Sequence, residues 1–189
     1  MDRLTALLDA NVLYPAGLRD FLLRLADQYL YQPLWSVAIH EEWIANLLAD
    51  RPDLTVDRLE RTRTIMDEHF PEAVVSGYEA LIAELDLPDV RDRHVLAAAI
   101  HGCAGVVVTF NLRDFPADRL APHRLEAQHP DAFIGDLLES QPEAVLAAVR
   151  GHRAALRNPP RSSIEHLAAL ERLGLARTAS VLWNHKDVI

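Results

Sequence analysis

Val106-Val107-Val108-Thr109-Phe110 is an unbroken run of apolar and β-branched residues. Such a strand has no polar face to offer water, so it reads as buried on both sides, as in a parallel sheet covered by helices. Thr5-Ala6-Leu7-Leu8, ending at Asp9, reads as a second buried strand. Gln32-Pro33-Leu34-Trp35 is a third candidate, and Arg124-Leu125-Glu126-Ala127 an edge strand. Helical periodicity fills the gaps. Leu18, Phe21, Leu22, Leu25 and Ala26 place a helix over residues 17–30. Ser36 caps a helix carrying Val37 to Leu48, and Thr55 caps another through about Phe70. Tyr78 to Leu85 looks helical. Asp89 caps a helix that bears Val95, Leu96, Ala99 and Ile100, and Gly102 and Gly105 bracket its exit. Asn11 to Pro15 and Asn111 to Pro116 read as turns. Beyond Pro130 only helical patterns remain, near 131–139, 142–157, 162–173 and 175–184, with Asn158-Pro159-Pro160-Arg161-Ser162 as a break. Strands alternating with helices predict an α/β fold in three layers, a parallel β-sheet flanked by helices, over residues 1–130. Residues 131–189 form a small all-helical C-terminal extension.

Charge narrows the function. The 189 residues hold 28 Asp and Glu against 19 Lys and Arg, a net charge of −9. Residues 1–130 carry 21 acids and 12 bases; residues 131–189 carry seven of each. A generic basic nucleic-acid binder does not look like this, whereas a protein that gathers carboxylates around cations does. Cys103 is the only cysteine, which excludes a disulfide framework and a cysteine zinc site. The nine histidines contain no His-Glu-x-x-His pattern of a zinc hydrolase. Residues 95–112 lack Asp, Glu, Lys and Arg, but His101, Gly102, Gly105 and Asn111 break up any membrane span. Met1-Asp2-Arg3-Leu4-Thr5 runs straight into the first strand without a signal segment, so a cytoplasmic protein is expected.

Several acids fall where the topology brings them together. Ligands of open parallel sheets sit beyond the carboxyl ends of the strands. Asp9 ends the first strand, and Asn111 and Asp114 follow the 106–110 strand. Asp92 opens the helix leading into that strand and so belongs to the same edge. Glu42, two turns into the helix after Ser36, can lean in from the side. Singly each has a plain alternative: Asp9 and Asp114 as turn or cap residues, Asp92 as complement to a helix dipole, Glu42 as a solvated helix face. Together they would repel one another unless a cation intervened. Mg²⁺ or Mn²⁺ prefers such oxygen ligands, and a phosphodiester is the natural substrate of such a site.

At these residues the chain resembles the PIN-domain nucleases. Leu7-Leu8-Asp9-Ala10-Asn11-Val12-Leu13 is similar to their opening strand motif, and Ser36 followed by Glu42 to their second. The run from Asp89 through Asp92, Arg93 and His94 to Ala99 resembles the third, and Val108-Thr109-Phe110-Asn111-Leu112-Arg113-Asp114-Phe115-Pro116 the fourth. Residues 4–130 carry the resemblance. The nearest subgroup is the VapC-type toxins of bacterial type II toxin–antitoxin pairs, some of which carry a similar helical tail. The resemblance implies a PIN-like fold and a Mg²⁺- or Mn²⁺-dependent endoribonuclease acting on structured RNA such as tRNA or rRNA. Its catalytic and metal-binding acids would be Asp9, Glu42, Asp92 and Asp114. A cognate antitoxin protein and a homodimer are the implied partners. Many members carry an acid where Asn111 stands, so Asn111 is expected to orient the site together with Thr109.

Arg93 and Arg113 flank site acids and are the candidate RNA contacts, with local pairing to those acids as the alternative. A dehalogenase-like phosphatase would need an acid where Asn11 stands and a phosphate-binding lysine, whereas the sole lysine is Lys186 in the tail. A stronger competitor is a PIN-fold interaction module with a weak or inactive site. In the tail, Val145, Leu146, Val149 and Leu156 are expected to pack inward, and Trp183 to be buried in the ordinary way.

Overall fold

The computed structural model describes residues 3–157 and 159–189. Met1 and Asp2, and Asn158 of the expected break, lie outside the described residues. Five parallel strands form one sheet: β1 (Thr5–Leu8), β2 (Gln32–Ser36), β3 (Val74–Val75), β4 (Val106–Val108) and β5 (Glu126–Gln128), in the order β3-β2-β1-β4-β5. The sheet grows outward from β1 in one direction through β2 and β3, then restarts on the other side with β4 and β5. Right-handed crossovers put helices from the two halves on opposite faces. The reversal opens a crevice between the carboxyl ends of β1 and β4.

Eleven α-helices are present among the described residues. They are α1 (Ala10–Leu13), α2 (Ala16–Asp27), α3 (Val37–Asp50), α4 (Val56–His69), α5 (Glu79–Ile82), α6 (Arg93–His101), α7 (Ala117–Leu120), α8 (Pro130–Ser140), α9 (Pro142–Ala155), α10 (Ser163–Arg172) and α11 (Ala176–Leu182). Ser36 and Thr55 cap the helices expected of them, whereas Asp89 caps the 3-10 turn Val90–Asp92 ahead of α6, which itself has no side-chain cap. The side chains of Ser36 and Thr55 accept from the N–H groups of Ile39 and Arg58, and Asp89 accepts from Arg91 N–H at 2.9 Å. Ser162 and Glu165 form a reciprocal capping box on α10.

Three segments differ from expectation. The stretch after Asp9 is a helical turn rather than an open loop, because Asp9 caps it. Two-residue β3 and one-turn α7 lie below the length at which periodicity can be read. The structure also accounts for Pro33 inside a strand. Gln32 N–H bonds to Leu4 on the β1 side, and Trp35 N–H bonds to Ala73 on the β3 side. The N–H that Pro33 lacks would face the β3 side before β3 begins, so no ladder bond is lost.

The hydrophobic core is continuous through the sheet layers and the tail. In the tail, α9 packs along α2, and α11 packs against α8. Phe133 meets Tyr31 edge-on at 4.9 Å. Val145, Leu146 and Val149 are buried, as expected. Trp183 is not: it is 46 % exposed, with the Lys186 ammonium over its ring. No helix among the described residues is long and apolar enough to cross a membrane.

Candidate active site

The geometry starts from strand register. Leu8 of β1 lies opposite Val108 of β4, and Asp9 N–H bonds to Val108 C=O at 3.1 Å. The next residue on each strand is therefore Asp9 beside Thr109. Both are buried, Asp9 at 5 % exposure and Thr109 at 0 %. Thr109 Oγ1 donates to Asp9 Oδ2 at 2.7 Å, and Asn11 Nδ2 donates to the same oxygen at 2.6 Å. Asp9 Oδ1 accepts from Ala10 N–H at 2.7 Å. Asn11 also donates to Thr109 Oγ1 at 2.8 Å and accepts from Phe110 N–H at 3.0 Å. Thr109 Oγ1 in turn accepts from Asn111 N–H at 3.0 Å. Asp9 is thus fixed by groups drawn from two strands and the turns after them.

The cavity at this edge has a volume of about 460 Å³. Asp9, Glu42, Asp92 and Asn111 line it, joined by Asn11, Asn46, Asp89, Arg91 and His94. Asp114 does not line the cavity itself. It sits behind Asn111, whose side-chain amide bonds its carboxylate, and its N–H returns to Asn111 C=O at 3.0 Å. Glu42 projects from the second turn of α3, and its Oε2 lies 3.5 Å from His94 Nε2. The two arginines expected from sequence lie elsewhere. Arg93 pairs with Asp86 at 3.6 Å, and Arg113 is exposed on the turn after β4. Arg91 is the guanidinium at the cavity, held in a fork by Asp89 with Nη2 at 2.7 Å from Oδ2.

The structure brings Asp9, Glu42 and Asp92 to one cavity, with Asp114 bonded to Asn111 beside it, and adds Asn11, Asn46 and Arg91, which the sequence reading did not name as site residues. Asn11 carried a signal, since it stands two residues after Asp9 and returns on the same helical turn. Asn46 also carried one, standing one helical turn beyond Glu42. Arg91 had none, because its place depends on the Asp89 cap.

The electrostatics are those of crowded acids. Burial, assisted by the charge of Glu42, pushes the Asp9 carboxyl up to about 6 against the pull of Thr109 and Ala10. Burial also pushes Asp92 up to about 6, and Asp9, Asp89, Asp114 and Glu42 all add to the shift. Asp92 therefore feels every other acid of the predicted set. The donor chemistry suits a hard divalent cation, which would relieve this repulsion. The cluster is open rather than a closed cage: among the described residues no three His, Cys, Asp or Glu side chains are arranged to hold one ion. Mg²⁺ needs only one or two carboxylates because it keeps several waters, so the residues present fit an ion of that kind.

A five-stranded parallel sheet with acids gathered at its switch point defines an α/β protein of the PIN type. Comparison with known proteins agrees. Residues 130–182 match the family described as "VapC50 C-terminal domain". The chain is 44 % identical over 88 residues to a Mycobacterium tuberculosis protein named "Putative ribonuclease VapC50". That alignment covers 47 % of this chain and 52 % of the relative, so the chain spans about half the length of the relative it matches. No solved structure matches it significantly. Over the matched residues the chain is similar to VapC-type proteins.

Proposed function

We propose that the chain is a Mg²⁺- or Mn²⁺-dependent endoribonuclease acting as the toxin of a toxin–antitoxin pair. The observation that carries this reading is the convergence of Asp9, Glu42 and Asp92 on one cavity, where burial first, and then the charges of Asp9, Asp89, Asp114 and Glu42, raise the Asp92 carboxyl. Four acids drawn from four separate segments affect one another at a single sheet edge. A structural role for each alone does not account for that. Residues 1–130 are read as the nuclease domain and residues 131–189 as its helical extension.

Asp9, Glu42, Asp92 and Asp114 are the proposed catalytic and metal-binding acids. A divalent cation held there would neutralise phosphodiester charge and acidify an attacking water. Asp9 is pre-positioned by Thr109 and Asn11, so its free lone pairs stay aimed without reorganisation at each turnover. Asn111 lines the cavity and donates to the Asp114 carboxylate beside it, adding no charge of its own. Glu42, 3.5 Å from His94, and Asp92 are the acids proposed to accept a proton from water. Structured RNA such as tRNA or rRNA is the proposed substrate, a cognate antitoxin and a second copy of the chain the proposed partners, and the cytoplasm the proposed location. Arg93 and Arg113 stay proposed RNA contacts outside the cavity, and Arg91 joins them at its wall.

The open arrangement of the acids favours one second reading, a PIN-fold interaction module with weak catalysis. The test is cleavage of total bacterial RNA by the purified chain with Mg²⁺, with Mn²⁺ and with chelator, beside Asp92→Asn. Metal-dependent cleavage that falls by at least ~100-fold in Asp92→Asn supports the nuclease, that being the scale on which a group placed for proton transfer contributes. Folded protein that cleaves no RNA class with either metal supports the module.

A further inference from the structure

Arg19 of α2 is a buried cation that no carboxylate pairs with among the described residues. It is 8 % exposed, and burial pushes its guanidinium down to about 10, which still leaves it charged at neutral pH. Nη1 donates to Leu13 C=O at 2.5 Å, and the guanidinium lies 4.6 Å from the Trp43 ring centroid. Neither partner carries a negative charge, and a cation taken from water without one is costly. An apolar side chain could fill the same space. What it could not do is hold a carbonyl and a ring at once.

Both partners belong to segments that carry the site acids. The α1 turn is so short that its two ends move as one. Asp9 caps its start, and Asp9 C=O takes the N–H groups of Val12 at 3.1 Å and Leu13 at 3.3 Å. At the other end Leu13 is fully buried, and its C=O takes no backbone N–H among the described residues. A terminal carbonyl of this kind needs a donor from elsewhere, and Arg19 is that donor. Trp43 follows Glu42 on α3. Its indole N–H donates to His40 Nδ1 at 2.9 Å. An indole can only donate, so the His40 proton sits on Nε2, which donates to Asp67 Oδ1 at 3.1 Å. The Trp35 indole donates to the same oxygen at 2.9 Å. His40 and Trp43 are both fully buried. Helix α3 is thereby fixed about its axis, with Glu42 and Asn46, one turn apart, on the acidic cavity.

We propose that Arg19 is a positioning residue of the acid site: by tying the α1 turn to Trp43 it fixes Asp9 relative to Glu42, and so sets the affinity of the cavity for a divalent cation. The inference rests on the metal-dependent reading and deepens it. Arg19 touches neither substrate nor ion and acts through the two segments it joins. The charge of Glu42 already bears on the Asp9 carboxyl, so a small displacement between α1 and α3 is felt at both acids. Thr109 holds Asp9 from the β4 side and Asn11 from its own turn, but neither bond reaches α3. The Tyr14 hydroxyl does reach it, donating to Asp50 at 2.9 Å, but at the exposed far end of the helix. Arg19 supplies the buried link beside Glu42. Groups that orient metal-binding side chains from behind govern metal affinity by about 10–100-fold.

The test compares the whole chain with Arg19→Met, Arg19→Lys and Asp131→Ala. The last removes the bonds from Arg177 and Thr178 N–H to Asp131 in the tail, and so controls for stability lost without any change at the acids. Circular dichroism and urea unfolding with chelator rank the folded variants. Electron paramagnetic resonance of added Mn²⁺ then reads metal binding with no RNA present. Arg19→Met relieves a buried cation but leaves Leu13 C=O without a donor, so its stability is expected to change little. Its Mn²⁺ dissociation constant is expected to rise by about 10–100-fold, while Asp131→Ala keeps the wild-type value. Arg19→Lys keeps the charge and a donor but not the planar fork, and should fall between. Cleavage of bulk bacterial tRNA by Arg19→Met should return as Mn²⁺ is raised. A folded Arg19→Met that binds Mn²⁺ as wild type does overturns the positioning role, and leaves the nuclease standing where wild type cleaves RNA. If Arg19→Met does not fold, Arg19→Lys decides, and wild-type affinity in it overturns the role. Wild type that binds Mn²⁺ but cleaves no RNA overturns the nuclease reading alone, since the binding comparison still decides Arg19. Wild type that binds no Mn²⁺ overturns both.

Discussion

Asp92 puts a cost on the folded protein that can be measured without substrate. The carboxyls of Asp9 and Asp92 rise from 3.8 to about 6 on folding. The folded chain then binds more protons than the unfolded chain between those values. The stability this contributes is present below about pH 4 and is lost as pH rises through about 6. Asp92→Asn removes one repelling charge and is expected to stabilise the metal-free protein at neutral pH by about 1 kcal/mol, discounted for partial exposure. Urea unfolding with chelator measures it, and a destabilised variant would count against a crowded acid site. Thr109→Val is expected to act in the opposite direction. It removes the hydroxyl that serves Asp9, Asn11 and Asn111 at once and should cost about 1–3 kcal/mol; the same unfolding experiment reads it. Asp9 and Asp92 stood out in the sequence because one follows a strand directly and the other precedes a helix directly, while Glu42 inside α3 and Asp114 on the turn after β4 had only their spacing. The polar shell around Asp9 was not, since Asn11, Thr109 and Asn111 meet only once β1 and β4 are in register.

Helix starts were the most legible elements. Ser36 and Thr55 each satisfy an N–H that the helix leaves orphaned, a local demand that local sequence reveals. The cap of α11 is long-range and was invisible: Asp131 of α8 accepts from the N–H groups of Arg177 and Thr178, both at 2.8 Å. Asp131→Ala leaves both groups unsatisfied and should cost about 1–2 kcal/mol, with faster hydrogen exchange confined to α11 and its interface with α8. Uniform exchange throughout the chain would show that the cap does not act locally. The short strand β3 was hidden for a different reason. Two residues have no period, and only the edge of β2 makes them a strand.

Across the whole molecule the layers were readable, but the intimacy between sheet and tail was not. His152 of α9 stacks on Phe21 of α2 at 5.3 Å, and His166 of α10 meets His152 edge-on at 4.9 Å. Burial pushes His152 and His166 each down to about 4 from 6.5. The folded chain binds fewer protons than the unfolded one in that interval, so stability is full above about pH 6.5 and lost as pH falls towards about 4. The acids and the histidines therefore tilt stability in opposite directions over the same range. His166→Leu, which replaces an unpartnered buried ring, should flatten the acid loss while leaving the response to divalent cations unchanged. A pH series of urea midpoints with and without Mg²⁺ separates the two; an unaltered acid limb in His166→Leu would sink the assignment.

The position of β1 also sets a clock. It stands at the centre of the sheet, yet its neighbour β4 lies about 100 residues later in the chain. At roughly 5–20 residues per second of synthesis, the central strand waits about 5–20 s for one of its two partners. Asp9 meets neither Thr109 nor Asp92 until then. The acidic edge is thus incomplete through that interval: Thr109 and the turn that carries Asn111 and Asp114 are still to come.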